Sequence, residues 1–115
     1  MEIVIVRHGQ SEENATGKLV PDAELTELGK EQAEKLAKKL SEERFDRIFS
    51  SPLVRALDTA EAIARYQPNK IEVVYGLREL REAETHVCMT GGELRARYLD
   101  AFFPQDVFKE DSGWI

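Results

Sequence analysis

Short apolar runs alternate with polar segments along the chain. Residues 2–6 are dense in β-branched residues, as is typical of a strand buried on both faces of a sheet. Residues 45–50 and 71–75 carry similar apolar runs and predict a second and a third strand. Each run is bounded by polar or turn-forming residues, so the pattern predicts three separate strands.

Apolar residues recur at helical spacing between and after these runs. Thr26 is placed to cap a helix whose apolar stripe ends at Leu40. Ser51 as N-cap and Pro52 at the first helical position predict the start of a second helix. The spacing predicts a third helix over residues 93–103.

A polar loop is expected over residues 9–24 and an irregular segment over residues 76–92. The order strand, loop, helix, strand, helix, strand favours right-handed crossovers and a parallel sheet. We therefore predict an α/β fold in which helices flank a parallel sheet.

Length, composition and charge narrow the class of protein. A chain of 115 residues predicts a single domain, residues 1–115, with one modest core. The net charge of -6 argues against nucleic acid as the main partner. Cys88 is the single cysteine, so no intrachain disulfide can form. No signal peptide or membrane-spanning apolar run is evident, which predicts a cytoplasmic protein that does not bind membranes.

The first predicted strand ends in Arg7-His8-Gly9. Ligands of open α/β sheets bind at the carboxyl ends of the strands. Arg7 offers a planar fork for phosphate oxygens, and Gly9 lets a ligand approach the backbone. We predict that His8 is a nucleophile for a phosphoryl group. The alternative is a histidine whose hydrogen bonds are satisfied at a strand end.

Arg55 lies in the first turn of the helix that follows the second strand. It should therefore face the same sheet edge as Arg7, where two guanidinium groups and a helix N-terminus could bind a dianion. The alternative is an ion pair between Arg55 and Asp58 or Glu61 on its own helix.

Glu79 follows the third strand and is the first candidate for a general acid, with Glu82 in reserve. A carboxyl group near a phosphoryl group can protonate the leaving oxygen, and nearby negative charge raises its pKa. The alternative is an exposed loop glutamate without a chemical role.

With these residues assembled, the chain resembles the histidine phosphatase superfamily, which includes cofactor-dependent phosphoglycerate mutases and fructose-2,6-bisphosphatase. The resemblance covers residues 1 to about 80 and follows the family's order of motifs. The matching segments are Arg7-His8-Gly9 with Ser11 and Asn14, Leu25-Thr26-x-x-Gly29-x-x-Gln32-Ala33, Ser50-Ser51-Pro52-Leu53-x-Arg55-Ala56 with Thr59-Ala60, and Leu77-x-Glu79.

The resemblance implies a phosphoglycerate mutase-like fold and a role for each matched residue. It implies a small phosphorylated substrate, no metal and no cofactor. The implied roles are His8 as the phosphorylated nucleophile, Arg7 and Arg55 as ligands of the phosphoryl oxygens, Ser11 and Asn14 as substrate contacts, and Glu79 as the proton donor.

The chain departs from the family in one respect. The family has a second active-site histidine far downstream, at the tip of another strand. The second histidine here, His86, follows Glu79 by seven residues and is interpreted as an ordinary loop residue. We therefore expect a domain that is incomplete at its C-terminus. Its strand edges would lie exposed, and self-association is one way to cover them.

Three functions remain open from the sequence. The first is a phosphatase that works through a phosphohistidine. The second is a mutase, in which another hydroxyl group takes the phosphoryl group before water does. The third is a truncated relative that binds phosphate compounds or a protein partner with little turnover. The shortness of the chain favours the phosphatase over the mutase, because family mutases carry extra segments that enclose the substrate.

Overall fold

A three-stranded parallel sheet forms the centre of the molecule. The computed structural model describes residues 1–78 and 89–111. The strands lie in the order β1 (Ile48–Ser50), β2 (Ile71–Val73) and β3 (Ala101–Phe102). The predicted α/β class with a parallel sheet is confirmed.

Helices precede, connect and cover these strands. They are α1 (Glu12–Thr16), α2 (Glu27–Leu40), α3 (Val54–Ala64) and α4 (Gly91–Arg97), with a 3-10 helix at Tyr75–Leu77. None of these helices in the described part of the chain has both the length and the hydrophobicity needed to cross a bilayer.

Side-chain caps explain where three of the helices begin. In each case the hydroxyl of the residue before the helix accepts a hydrogen bond from a backbone N–H of the first turn. The prediction for Thr26 is confirmed, since its Oγ1 accepts the N–H of Gly29. The other two caps are Ser11 and Thr90.

The main core lies between α3, the sheet and α4. Its central members are large apolar side chains with almost no exposed surface, namely Leu57, Ile71, Leu94, Tyr98 and Phe108. A smaller cluster of Ala33, Ala37, Ala62 and Ile63 joins α2 to α3. The short alanine side chains let these two helices approach closely.

The predicted strand at residues 2–6 is wrong. No strand in the described chain pairs with this segment. Ile3 and Ile5 are 70% and 92% exposed, and Val6 packs only partly against the α2–α3 cluster. β-branched residues favour a strand only where a neighbouring strand and a packed surface receive them; among the described residues no strand adjoins this segment, and most of its apolar side chains are exposed.

The predicted helix over residues 93–103 is only partly correct. Helix α4 ends at Arg97, and the chain then turns into β3. The backbone N–H of Ile71 donates to Asp100 O at 2.9 Å, and residues 101–102 pair with β2 as a third strand. Tertiary pairing therefore overrides the helical spacing of the apolar residues.

Two further local predictions are wrong. The loop expected over residues 9–24 contains α1, which ends at Gly17 in the left-handed conformation (φ 72°). Helix α3 begins at Val54 rather than at Pro52. The Val54 N–H donates to Asp22 Oδ1 at 2.8 Å, so a distant carboxylate replaces the predicted Ser51 cap.

Candidate functional site

Residues 7–11, here termed the histidine loop, are held by side chains from three helices. Three successive backbone N–H groups of the loop donate to side-chain oxygens rather than to a strand ladder. These bonds are Gly9 N–H to Thr59 Oγ1 (3.1 Å), Gln10 N–H to Gln32 Oε1 (2.9 Å) and Ser11 N–H to Asn14 Oδ1 (3.1 Å). The loop is thus tied to α3, α2 and α1, although no strand precedes it.

Two glycines allow the histidine loop to lie directly against α2. A Cβ atom on Gly9 would collide with the backbone of Gly29, and one on Gly29 would collide with the backbone of Gln10. The Thr26 N–H also donates to Gln10 O at 2.9 Å. The glycine pair therefore sets the close backbone contact that positions the loop.

The imidazole of His8 is half-buried, and one of its nitrogens is oriented by the backbone. Nδ1 lies 2.7 Å from Gly9 O. A carbonyl oxygen can only accept, so Nδ1 carries a proton, and in the neutral imidazole Nε2 then keeps its lone pair. This contact uses one ring nitrogen and leaves the nitrogen that could attack a phosphorus atom chemically competent.

Arg55 is buried in the first turn of α3, with 3% of its surface exposed. It does not form the ion pairs of the alternative interpretation. Asp58 Oδ1 accepts the hydroxyl of Tyr98 at 2.7 Å, and Glu61 pairs with Arg65. Both carboxylates on its own helix are therefore bound to other groups.

Thr59 joins Arg55 to the histidine loop. Its Oγ1 accepts the Gly9 N–H, and its hydroxyl donates to Arg55 O at 2.8 Å. The Thr59 side chain is thus hydrogen-bonded both to Gly9, the residue next to His8, and to the helical turn that carries Arg55.

The other predicted contacts occupy different surroundings. Arg7 is exposed and forms no hydrogen bond or ion pair within residues 1–78 and 89–111. Ser11 is 1% exposed, and its Oγ accepts the Asn14 N–H at 3.2 Å in a capping box. Their roles in substrate binding stay predictions. The Asn14 side-chain oxygen accepts the Ser11 N–H, and the side-chain nitrogen remains a candidate donor to a substrate.

Four residues discussed from the sequence lie outside the described residues: Glu79, Glu82, His86 and Cys88. The proton-donor role of Glu79 therefore stays a prediction. Among the residues that the structure does describe, no three His, Cys, Asp or Glu side chains form a group that could hold a metal ion.

Sequence reasoning missed three residues that build the site. Asp22 has a left-handed backbone (φ 45°) and caps α3, so this helix N-terminus already binds a carboxylate of the protein. Gln32 and Thr59 stood in matched motifs, but no local pattern indicated that they bind the histidine loop. Thr59 and Gly9 are 50 residues apart in the chain.

A separate cleft of about 450 Å³ lies between α2, α3 and α4 and contains none of the predicted site residues. Arginines of its lining pair with carboxylates of the same lining, as Arg97 does with Asp58 and Arg65 does with Glu61. The cleft is therefore not the site described above.

The family model of the histidine phosphatase superfamily (branch 1) matches residues 3–106. The chain belongs to the histidine phosphatase superfamily. This confirms the resemblance drawn from the sequence motifs.

Individual relatives agree with this membership. Phosphoglycerate mutase-like protein 4 of Arabidopsis thaliana is 43% identical over 84 residues, covering 70% of this chain and 36% of that protein. Phosphoserine phosphatase 1 of Hydrogenobacter thermophilus is 37% identical over 108 residues, covering 92% of this chain and 48% of that protein. The chain thus spans about half or less of the length of these relatives.

A solved structure supports the fold. The phosphoserine phosphatase of Entamoeba histolytica, in complex with 3-phosphoglyceric acid, superposes with a TM-score of 0.57 at 39% identity. The match covers 64% of this chain and 36% of that one. The α/β fold is thus shared with this enzyme over the matched part of the chain.

Proposed function

We propose that this protein hydrolyses a phosphoric monoester of a small metabolite through a phosphohistidine at His8. The observation that carries the proposal is the contact of His8 Nδ1 with Gly9 O, which leaves Nε2 as the free nucleophilic nitrogen. The buried guanidinium of Arg55, on the helix that also binds Gly9, supplies positive charge for the phosphoryl oxygens.

The first step is attack of Nε2 on phosphorus. A P–N bond forms while the P–O bond to the leaving group breaks, and Arg7 and Arg55 bind the phosphoryl oxygens. Such transfer needs positioning and electrostatic stabilisation more than covalent help from other groups. The hydrogen bonds that hold the histidine loop to three helices provide this positioning.

Glu79 supplies the proton in this proposal. Its carboxyl group protonates the departing alkoxide, since an alcohol leaves poorly as an anion. Water then attacks phosphorus, the P–N bond breaks, and the proton of the water passes to the Glu79 carboxylate. The products are inorganic phosphate and the free alcohol, and the enzyme returns to its starting state.

The relatives support hydrolysis over transfer, although both kinds of name occur among them. Of the three relatives described above, two are named phosphatases and one a mutase-like protein. The proposal includes catalysis without metal or cofactor, in the cytoplasm, and without nucleic acid as partner, the last because the net charge is -6. Self-association through the outer edges of β1 and β3 is proposed as well.

The three candidate functions are separated by following the phosphoryl group. The protein is incubated with phosphoserine or 3-phosphoglycerate, and released phosphate and rearranged phosphoester are both measured. Phosphate release that is lost in His8→Ala supports the phosphatase. Rearranged ester indicates the mutase, and phosphate binding without either product indicates the binding relative.

A further inference from the structure

Thr59 makes two buried hydrogen bonds, one to the histidine loop and one within α3. Its Oγ1 accepts the N–H of Gly9 at 3.1 Å, and its hydroxyl proton goes to Arg55 O at 2.8 Å. The residue is 4% exposed, so water does not compete readily for either bond. Thr59 thus connects the backbone beside His8 with the backbone of Arg55.

The Gly9 peptide continues this connection to the imidazole. Its N–H is bound by Thr59, and its C=O accepts Nδ1–H of His8. A residue whose backbone is held at both polar groups has little freedom to rotate. The Thr59 hydroxyl is therefore linked to the His8 ring through the two polar groups of Gly9.

We propose that Thr59 is a positioning residue that orients His8 for attack and fixes its distance from Arg55. This inference rests on the proposed function for its kinetic consequence, but the tautomer of His8 is a property of the resting protein. Thr59 touches no reacting atom, so its contribution is to geometry. Loss of the hydroxyl would release Gly9 while leaving the nucleophile and the arginines in the chain.

The chain offers a matched control in Thr16. Its hydroxyl donates to Glu12 O at 2.8 Å, and its Oγ1 accepts the Lys18 N–H at 3.2 Å. Like Thr59, Thr16 donates to the carbonyl four residues before it and accepts a backbone N–H. Thr16 lies at the end of α1, however, and bonds to neither the histidine loop nor the turn of Arg55. Thr16→Val therefore measures what the loss of such a hydroxyl costs elsewhere.

The kinetic test compares Thr59→Val with Thr59→Ser and Thr16→Val. Misplacing a reacting group by about 1 Å costs on the order of 100-fold in rate, so we expect Thr59→Val to lower kcat about 10- to 100-fold. KM should stay within about three-fold, since Arg7 and Arg55 are intact. Thr59→Ser should keep most of the activity, and Thr16→Val should match the original protein. Equal kcat values in the Val and Ser variants at Thr59 would overturn the inference.

A second measurement does not depend on turnover. The ¹⁵N chemical shifts of the His8 ring report which nitrogen carries the proton, and His8→Ala assigns the signals. We expect the original protein to favour Nδ1–H and Thr59→Val to show a mixture of tautomers. An unchanged tautomer would contradict the positioning role. If the original protein forms no phosphohistidine, the proposed function fails while this comparison still decides the role of Thr59.

The Ser and Ala variants at Thr59 keep the test decisive if valine prevents folding. Both lack the methyl group, and they differ only in the hydroxyl. A loss of kcat and of the Nδ1–H tautomer in Thr59→Ala, with neither loss in Thr59→Ser, supports the inference. Identical behaviour of the two folded variants would overturn it.

Discussion

Replacing Tyr98 with phenylalanine removes one buried hydroxyl and leaves the aromatic core otherwise intact. Tyr98 is 1% exposed and packs at a centroid distance of 6.5 Å from Phe103. Its hydroxyl donates to Asp58 Oδ1 at 2.7 Å, which ties α4 to α3. The substitution therefore tests a single hydrogen bond to a carboxylate.

The size of the effect follows from what remains after the change. A hydrogen bond to a charged group contributes about 1.5–3 kcal/mol. Asp58 keeps a cationic neighbour, because Arg97 Nη2 lies 3.6 Å from its second oxygen. The carboxylate is thus not left alone, and we expect Tyr98→Phe to lower the free energy of unfolding by about 1.5–2 kcal/mol at pH 7.

The same hydroxyl makes the effect depend on pH. Burial, and then the hydrogen bond to Asp58, raise the pKa of Tyr98 above its ordinary value of 10.0. The stabilisation is fully present below pH 10 and falls as the pH rises above it, because the unfolded chain then loses a proton that the folded protein keeps. The difference between the two proteins should shrink by about 1.4 kcal/mol per pH unit above pH 10.

Urea denaturation at pH 7, 9.5 and 11 measures the loss of unfolding free energy in Tyr98→Phe and the change of that loss with pH. Tyr66→Phe is the control, because the hydroxyl of Tyr66 also donates to a carboxylate, that of Glu34, but Tyr66 is only half-buried. Water competes more readily for a half-buried hydrogen bond, so Tyr66→Phe should lower the free energy of unfolding by less. Equal stability of Tyr98→Phe and the original protein at pH 7, or a difference that does not shrink toward pH 11, would refute the reasoning.

Three further predictions concern the site. Arg7→Ala and Arg55→Ala should each weaken vanadate or phosphate binding by about 1.5–3 kcal/mol in a titration, and unchanged affinity in both would contradict the anion site. Glu79→Gln should slow hydrolysis of an alkyl phosphate about 100-fold or more but slow nitrophenyl phosphate much less, because nitrophenolate leaves without a proton. Glu82→Gln is its control, and equal slowing of both substrates by Glu79→Gln would count against the acid role. Gly29→Ala should lower the free energy of unfolding by about 1–3 kcal/mol, since its Cβ would collide with the histidine loop, and thermal or urea unfolding checks this.

Local chemistry made part of the fold predictable. The Thr26 cap, the stripe of α2 and the apolar runs at β1 and β2 all have causes within a few residues of each other. These elements appear where the pattern indicates, although both strands are shorter than predicted. The family motifs likewise identified the histidine loop and Arg55 without any structure.

Long-range contacts account for the errors. Residues 2–6 have the composition of a strand, but no strand of the described residues lies beside them. Residues 101–102 become a strand because β2 pairs with them. The cap of α3 comes from Asp22, a residue 32 positions away from Val54. None of these partners can be read from a window of neighbouring residues.

In the candidate site, too, local sequence indicated some residues, whereas others depend on long-range contacts. Residue types and motif order led to His8 as the candidate nucleophile and to Arg7 and Arg55 as candidate phosphate ligands, and these roles stay predictions. The side chains that hold the histidine loop, Thr59 and Gln32, act through hydrogen bonds over 50 and 22 residues of chain. Their function depends on how the helices pack, so only the structure reveals it.

Mass spectrometry of the trapped intermediate tests the central claim most directly. The protein is mixed with an aryl phosphate, quenched in alkali to preserve phosphohistidine, digested and mapped. We predict one phosphoryl group on the peptide containing His8, and none on that peptide in His8→Ala. Turnover with no phosphoryl group on His8, or with the group on another residue, would contradict the account.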